Sequence, residues 1–154
     1  MIVDSSALMA VLLGEPERNK FVQAILGAPC RMSAATFAEV GIVADQRSPG
    51  LGRQLDRLVD ELAIDVVPLT PHHARLARGA YRRYGRGSGS PARLNFGDCL
   101  AYALASETGE PLLFKGDDFI HTDVLPAEPD AASGPAGTAE KAAPAGRTEP
   151  TELA

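Results

Sequence analysis

Asp4, Glu39, Asp98 and the adjacent pair Asp117 and Asp118 are the side chains whose type and placement could do chemistry. Asp4 follows the short apolar run Ile2-Val3 and precedes two serines. Asp98 falls in the first turn of an amphipathic stretch that begins at Phe96. Asp117 and Asp118 follow the apolar run Leu112–Phe114 across a Lys115-Gly116 turn. Glu39 is the only charged residue in ATFAEVGIVA. A carboxylate on so apolar a face is costly to bury alone, and no basic residue is near it in sequence. Several carboxylates meeting in one cleft also raise one another's pKa. A hard divalent cation, Mg²⁺ or Mn²⁺, relieves both problems because it is bound by oxygen. The reaction that uses such a set is phosphodiester hydrolysis. One ion makes a nucleophile of its bound water, and it, or a second ion ~3.5–4 Å away, stabilises the leaving oxygen.

Taken singly, each acid also has a plainer reading. Asp4 and Asp98 can be helix N-terminal acids complementing the dipole, worth ~0.3–1 kcal/mol each. Glu39 can lie on a solvated edge, and Asp117-Asp118 can be an ordinary turn. Their coincidence favours the site, because they occupy strand ends and helix starts that converge in an α/β sheet. Other chemistries lack their residues. Cys30 and Cys99 form no CxxC pair, and His72, His73 and His121 show no zinc spacing, so both thiols read as small core residues. A phosphate-cradling Gly-rich loop with lysine and a GxGxxG run are both missing.

The elements that must position these acids follow from hydrophobic periodicity. Ile2-Val3, Arg31-Met32, Ile64–Leu69 and Leu112–Phe114 read as strands, with Val124-Leu125 as a short last one. Helices are expected from Ser5 or Ser6 as cap to Gly14, from Pro16 to Gly27, from Ser33 as cap to about Gln46, and over 51–62. A further helix runs from Thr70-Pro71 to about Tyr84. The last spans Phe96–Thr108, with Phe96, Cys99, Leu100, Ala103 and Leu104 on one side. Apolar strands alternating with amphipathic helices imply an α/β fold, a parallel sheet covered on both faces. Ligands bind such sheets outside the carboxyl ends of the strands.

The chain has 154 residues, the length of one domain, with 15 Lys+Arg, 20 Asp+Glu and a formal net charge of −5. That balance argues weakly against a general nucleic-acid coat protein. Its distribution says more. Residues 127–154 are dominated by Ala, Pro, Gly, Thr, Ser and Glu, and read as a disordered tail that takes part of the acid excess with it. The domain is residues 1–126. Within it, no acid falls between Asp65 and Asp98, an interval holding Arg75, Arg78, Arg82, Arg83, Arg86 and Arg93. Arginine suits phosphate, and the tyrosines of YRRYGRGSGS offer stacking faces. A solvated helix face followed by a flexible loop is the equal alternative. No transmembrane run and no signal peptide are present, so a cytoplasmic protein is expected, without membrane association.

Four segments now carry a resemblance: MIVDSSALMAVLLGEPE, SAATFAEVGIV, LNFGDCLAYALA and PLLFKGDDF. Together they resemble the PIN domain, and more narrowly the VapC-type ribonuclease toxins of type II toxin–antitoxin modules, over about residues 1–126. The resemblance implies a three-layer α/β/α sandwich with a short parallel sheet and Mg²⁺- or Mn²⁺-dependent endonuclease activity on RNA. It also implies a homodimer and a cognate antitoxin that inserts a segment near the active site. It assigns Asp4 and Asp98 as the principal metal-binding acids, Glu39 as the acid of the third helix, Ser6 as a hydroxyl near the metal and Asn95 as a residue ordering the site. At the fourth acid many relatives read T-x-D-x-D-F, where this chain has Phe114–Phe119; Asp118 is chosen, with Asp117 second. The arginine-rich interval, with Arg82, Arg83 and Arg86, is expected to draw in the RNA backbone, and Lys115 to meet a phosphate. The competing readings are a catalytically silent PIN-like module that binds protein, and a PIN nuclease acting in RNA maturation.

Overall fold

A computed structural model describes residues 1–127. The segment read as a tail, residues 128–154, lies outside the described residues. Four parallel strands form the sheet: β1 (Ile2–Val3), β2 (Arg31–Ser33), β3 (Asp65–Val67) and β4 (Leu112–Leu113). Between them run α1 (Ser5–Leu12), α2 (Arg18–Leu26), α3 (Ala34–Arg47), α4 (Pro49–Glu61), α5 (Pro71–Tyr84) and α6 (Phe96–Thr108), and a 3₁₀ turn (Asp118–His121) follows β4. The strand order is β3-β2-β1-β4. The chain therefore builds outward from β1 to β3, then returns to place β4 on the other side of β1. The crevice between the carboxyl ends of β1 and β4 is the point where that order reverses, the place where α/β sheets bind ligands.

Alternation along the strands divides the core. Val3, Met32 and Leu113 pack with α1–α4, while Ile2 and Leu112 pack with α5 and α6. All five are fully buried. The result is the expected three-layer α/β/α sandwich. Most elements follow their local signals. Ser33 caps α3 by accepting from the Ala35 N–H, and Thr70 caps α5 by accepting from His73, with Pro71 at the first position. Both cysteines are free and buried, as expected of small core residues. Among the described residues no helix is long and apolar enough to cross a membrane.

Local reading and fold part at four places. The cap of α1 is Asp4, one residue before the serines, because its carboxylate accepts from the Ser6 N–H. Helix α2 starts at Arg18, with Pro16 in the turn before it. The stretch after Leu113 reaches the sheet only through a single parallel bridge of Pro126 to Leu112. The Gly/Ser segment is a pinned loop: the Arg86 N–H donates to the Leu94 carbonyl, the Leu94 N–H donates to the Tyr84 carbonyl, and Ala92 and Leu94 are fully buried. Gly87 and Gly89, with φ of 89° and 86°, supply the left-handed turns it needs.

Candidate active site

Asp4 leaves β1 where the strand becomes α1, which places its carboxylate over the sheet's switch point. One of its oxygens, Oδ2, accepts from the Ser6 N–H at 2.9 Å and the Ser6 hydroxyl at 2.6 Å. The Ser6 hydroxyl in turn accepts from the Lys115 N–H at 2.9 Å, which ties the turn after β4 to α1. The other oxygen of Asp4, Oδ1, is buried with no hydrogen-bond partner. Asp4 is only 1% exposed.

Asp98 is held at the start of α6 by a reciprocal cap. Its Oδ2 accepts from the Asn95 N–H at 2.7 Å, and its own N–H donates to Asn95 Oδ1 at 3.0 Å. The loop 85–94 feeds directly into this cap. Glu39 reaches the same place from the middle of α3. Its Oε2 is buried without a partner, and its carboxylate lies against the bare backbone of Gly97. The amino ends of α1 and α6 both face the cluster, and their dipoles favour negative charge there.

The electrostatics show the acids sharing one space. Burial pushes Asp4 above the usual carboxylate range against the hydrogen bonds from Ser6, and Asp118 adds to the rise. Burial raises Glu39, and the charges of Asp4 and then Asp98 raise it further. Burial lifts Asp98 to about 6; the Asn95 N–H opposes this, Asp4 and Asp118 add to it, and Arg86 draws it down. Asp118, exposed at the start of the 3₁₀ turn, is felt by both principal acids.

Among the described residues no three carboxylate, imidazole or thiol groups are drawn together as a ready-made metal cage. The donors nonetheless suit a hard cation. They are carboxylates only, two of them have a buried oxygen with no partner, and the charge of Asp4 makes both Glu39 and Asp98 harder to ionise. A divalent ion would satisfy those oxygens and remove that repulsion.

The basic residues divide. Arg82 and Arg86, together with Arg78, line a groove of about 730 Å³ between α5 and α6 that runs to Asn95. Arg83 stands apart: its guanidinium donates to Asp123 at 2.9 Å and lies over the Tyr84 ring at 4.6 Å. Lys115, expected to meet a phosphate, pairs instead with Glu15 and, at 3.2 Å, with Glu17. The same groove exposes an apolar side chain that periodicity assigned to the core. Phe96 is 73% exposed, whereas Cys99, Leu100, Ala103 and Leu104 of the same helix are buried. Gly97 stands in the sequence as part of the segment LNFGDCLAYALA that carries the resemblance, but its role against Glu39 could not be read there.

The PIN domain family model matches residues 1–125. The chain is 53% identical over 126 residues to Ribonuclease VapC28 of Mycobacterium tuberculosis, covering 80% of this chain and 95% of that relative. It is 50% identical over 129 residues to Ribonuclease VapC42 of the same organism, covering 82% and 98%. Among solved structures, a toxin–antitoxin complex from Klebsiella pneumoniae matches with a TM-score of 0.60 at 19% identity, covering 83% of this chain and 96% of that one. That likeness speaks for the fold. With the family model and these relatives spanning the domain that holds Asp4, Glu39 and Asp98, the chain belongs to the PIN-domain family, among the VapC ribonucleases.

Proposed function

We infer that this chain is a metal-dependent endoribonuclease that hydrolyses RNA phosphodiester bonds, and that it is the toxin of a toxin–antitoxin pair. The observation that carries the reading is that, on top of burial, Asp4 and Asp98 raise Glu39, and Asp4 raises Asp98, by charge from three separate elements, with buried, unpartnered oxygens on Asp4 and Glu39. Asp4 and Asp98 would hold Mg²⁺, with Mn²⁺ as a substitute, and Glu39 and Asp118 would complete the acidic set. When bound, such an ion supplies an acidified water and neutralises charge on the phosphate. The chain's own residues do the positioning. Ser6 holds one oxygen of Asp4 with two hydrogen bonds and leaves the other unpartnered. Asn95 fixes Asp98, and the Gly97 backbone leaves room for Glu39. Arg82 and Arg86 offset the repulsion that an acidic cleft would otherwise exert on an RNA backbone.

The partners belong to the same proposal. Relatives named VapC ribonucleases, and a neighbour solved as a toxin–antitoxin complex, support an RNA substrate and a cognate antitoxin. A cytoplasmic setting agrees with both. Pairing of two copies is supported by three exposed apolar side chains, Phe96, Tyr81 (45% exposed) and Leu69 (41% exposed), which have no cover among the described residues.

The test is RNA cleavage by the full chain with Mg²⁺ or Mn²⁺, with chelator, and for Asp4→Asn and Asp98→Asn. Cleavage should need the metal and vanish in both variants while their folds persist. In cells, induced expression should arrest growth, Asp4→Asn should relieve the arrest, and a neighbouring small reading frame should neutralise it. Metal-independent cleavage, or full cleavage by either variant, overturns the reading.

A further inference from the structure

Gly97 sits in the first turn of α6, buried, between the Asn95 cap and Asp98. Its φ is not in the left-handed region, so backbone torsion does not demand glycine there. Within a helix, glycine is less favourable than alanine by roughly 1 kcal/mol. Something else must exclude a side chain. A Cβ built on Gly97 would fall well inside 3.0 Å of both carboxylate oxygens and Cδ of Glu39. These three atoms are its nearest neighbours. Its conflict is thus with a functional group at the end of a flexible side chain.

We propose that Gly97 is a positioning residue for the metal centre: by lacking a side chain it lets α6 approach α3 until the Glu39 carboxylate lies against the turn that carries Asp98. The proposal rests on the reading of the acidic cluster as a metal site. Because Glu39 is flexible at the clashing end, a methyl group at position 97 can be absorbed by swinging the carboxylate aside. The fold survives that movement, but the cluster loses its third acid. Gly97 therefore acts through Glu39, without touching a metal or substrate itself.

The experiment compares wild type, Gly97→Ala, Glu39→Ala, Glu39→Asp and the double variants Gly97→Ala/Glu39→Ala and Gly97→Ala/Glu39→Asp. The readouts are metal-free thermal melting, the Mn²⁺ concentration needed for half-maximal thermal stabilisation, and RNA cleavage. Gly97→Ala should leave the metal-free midpoint within a few degrees of wild type. It should raise the Mn²⁺ requirement by ~10–100-fold, the range seen when a positioned ligand loses its support. In the Glu39→Ala background it should change that requirement by less than about twofold, since the group it acts through is gone. Beside Glu39→Asp, whose carboxylate is one methylene shorter, its effect should be smaller than in wild type. An equal loss with and without Glu39, or a wild-type Mn²⁺ requirement in Gly97→Ala, overturns the proposal. A crystal structure of Gly97→Ala without metal separates this idea from the metal-site reading. A displaced Glu39 carboxylate supports the clearance role even if wild type binds no Mn²⁺, whereas an unmoved carboxylate with α6 shifted overturns it.

Discussion

Ser6 donates its amide N–H and its hydroxyl to the same oxygen of Asp4, at 2.9 and 2.6 Å, and leaves the second oxygen buried and free. Orientation of a ligand by such a partner is worth ~10–100-fold in metal affinity or activity. Ser6→Ala keeps the N–H bond but loses the hydroxyl and its tie to the Lys115 N–H. Cleavage should fall by ~10–100-fold, while stability drops by about 1–3 kcal/mol, since two hydrogen bonds are lost and one of them is to a carboxylate. Ser6→Thr should recover most of the activity. Rate and metal titrations on the three proteins check this; full activity in Ser6→Ala would show that Asp4 is oriented without the hydroxyl.

The raised acids make a prediction about pH. Asp4, Glu39 and Asp98 are all harder to ionise folded than unfolded, Asp98 reaching about 6. A carboxyl raised by folding adds stability that is complete below its unfolded pKa and is lost as pH rises through its folded pKa. For Asp98 the loss runs between its unfolded pKa of 3.8 and its folded value of about 6. The metal-free protein should therefore melt at a higher temperature near pH 5 than near pH 7.5. Mg²⁺ should reverse the trend, stabilising strongly at the higher pH and little at the lower, because ligands must be ionised to bind. Calorimetric scans across this range decide it. Metal-free melting that rises steadily with pH would mean the three acids are not sharing one desolvated cleft.

Arg82, Arg83 and Arg86 are alike in sequence and unlike in the fold. Arg82 and Arg86 line the groove that runs to Asn95, whereas Arg83 is paired with Asp123, which also accepts from the Tyr102 hydroxyl at 2.7 Å. Removing either groove arginine should weaken RNA binding. It should also flatten the plot of log affinity against log salt by ~0.7 per lost phosphate contact on a single strand. Arg83→Ala should leave both slope and affinity unchanged and lower the melting temperature instead. Binding isotherms at several salt concentrations separate the three; an equal slope change for Arg83→Ala would place RNA across Asp123 as well.

Much of the architecture was legible because it is local. The span Phe96–Thr108 is bounded by an asparagine cap and by Gly109 at φ 66°, and both signals are written in adjacent residues. The Thr70-Pro71 start of α5 is of the same kind. The acids Asp4 and Asp98 could be placed because strand ends and helix starts converge in any parallel sheet. What stayed hidden depends on contacts between distant segments. A hydrophobic stripe groups Phe96 with Leu100, but says nothing of whether another element covers it. The clearance at Gly97 exists only because α3 and α6 meet across the sheet. Which arginine faces the groove is decided by one step around a helix and by an acid far down the chain, Asp123.

Phe96 carries the prediction about assembly. It is 73% exposed at the start of α6 beside Tyr81 and Leu69, an exposed apolar cluster that water alone would not favour. A two-fold interface uses the same patch on both copies, so one substitution acts twice. Phe96→Glu should convert a dimer to a monomer, with an affinity loss of at least ~30-fold, the equivalent of a ~2 kcal/mol anchor. The melting temperature at high dilution should not fall, since the ring is exposed within one chain. Salt separates this surface from the RNA contacts: between about 50 and about 200 mM, pairing through apolar side chains should hold while RNA binding weakens steeply. Light scattering on both proteins over that range measures it. A monomeric wild type at tens of micromolar, or an undisturbed dimer in Phe96→Glu, would assign these apolar side chains to something other than a second copy.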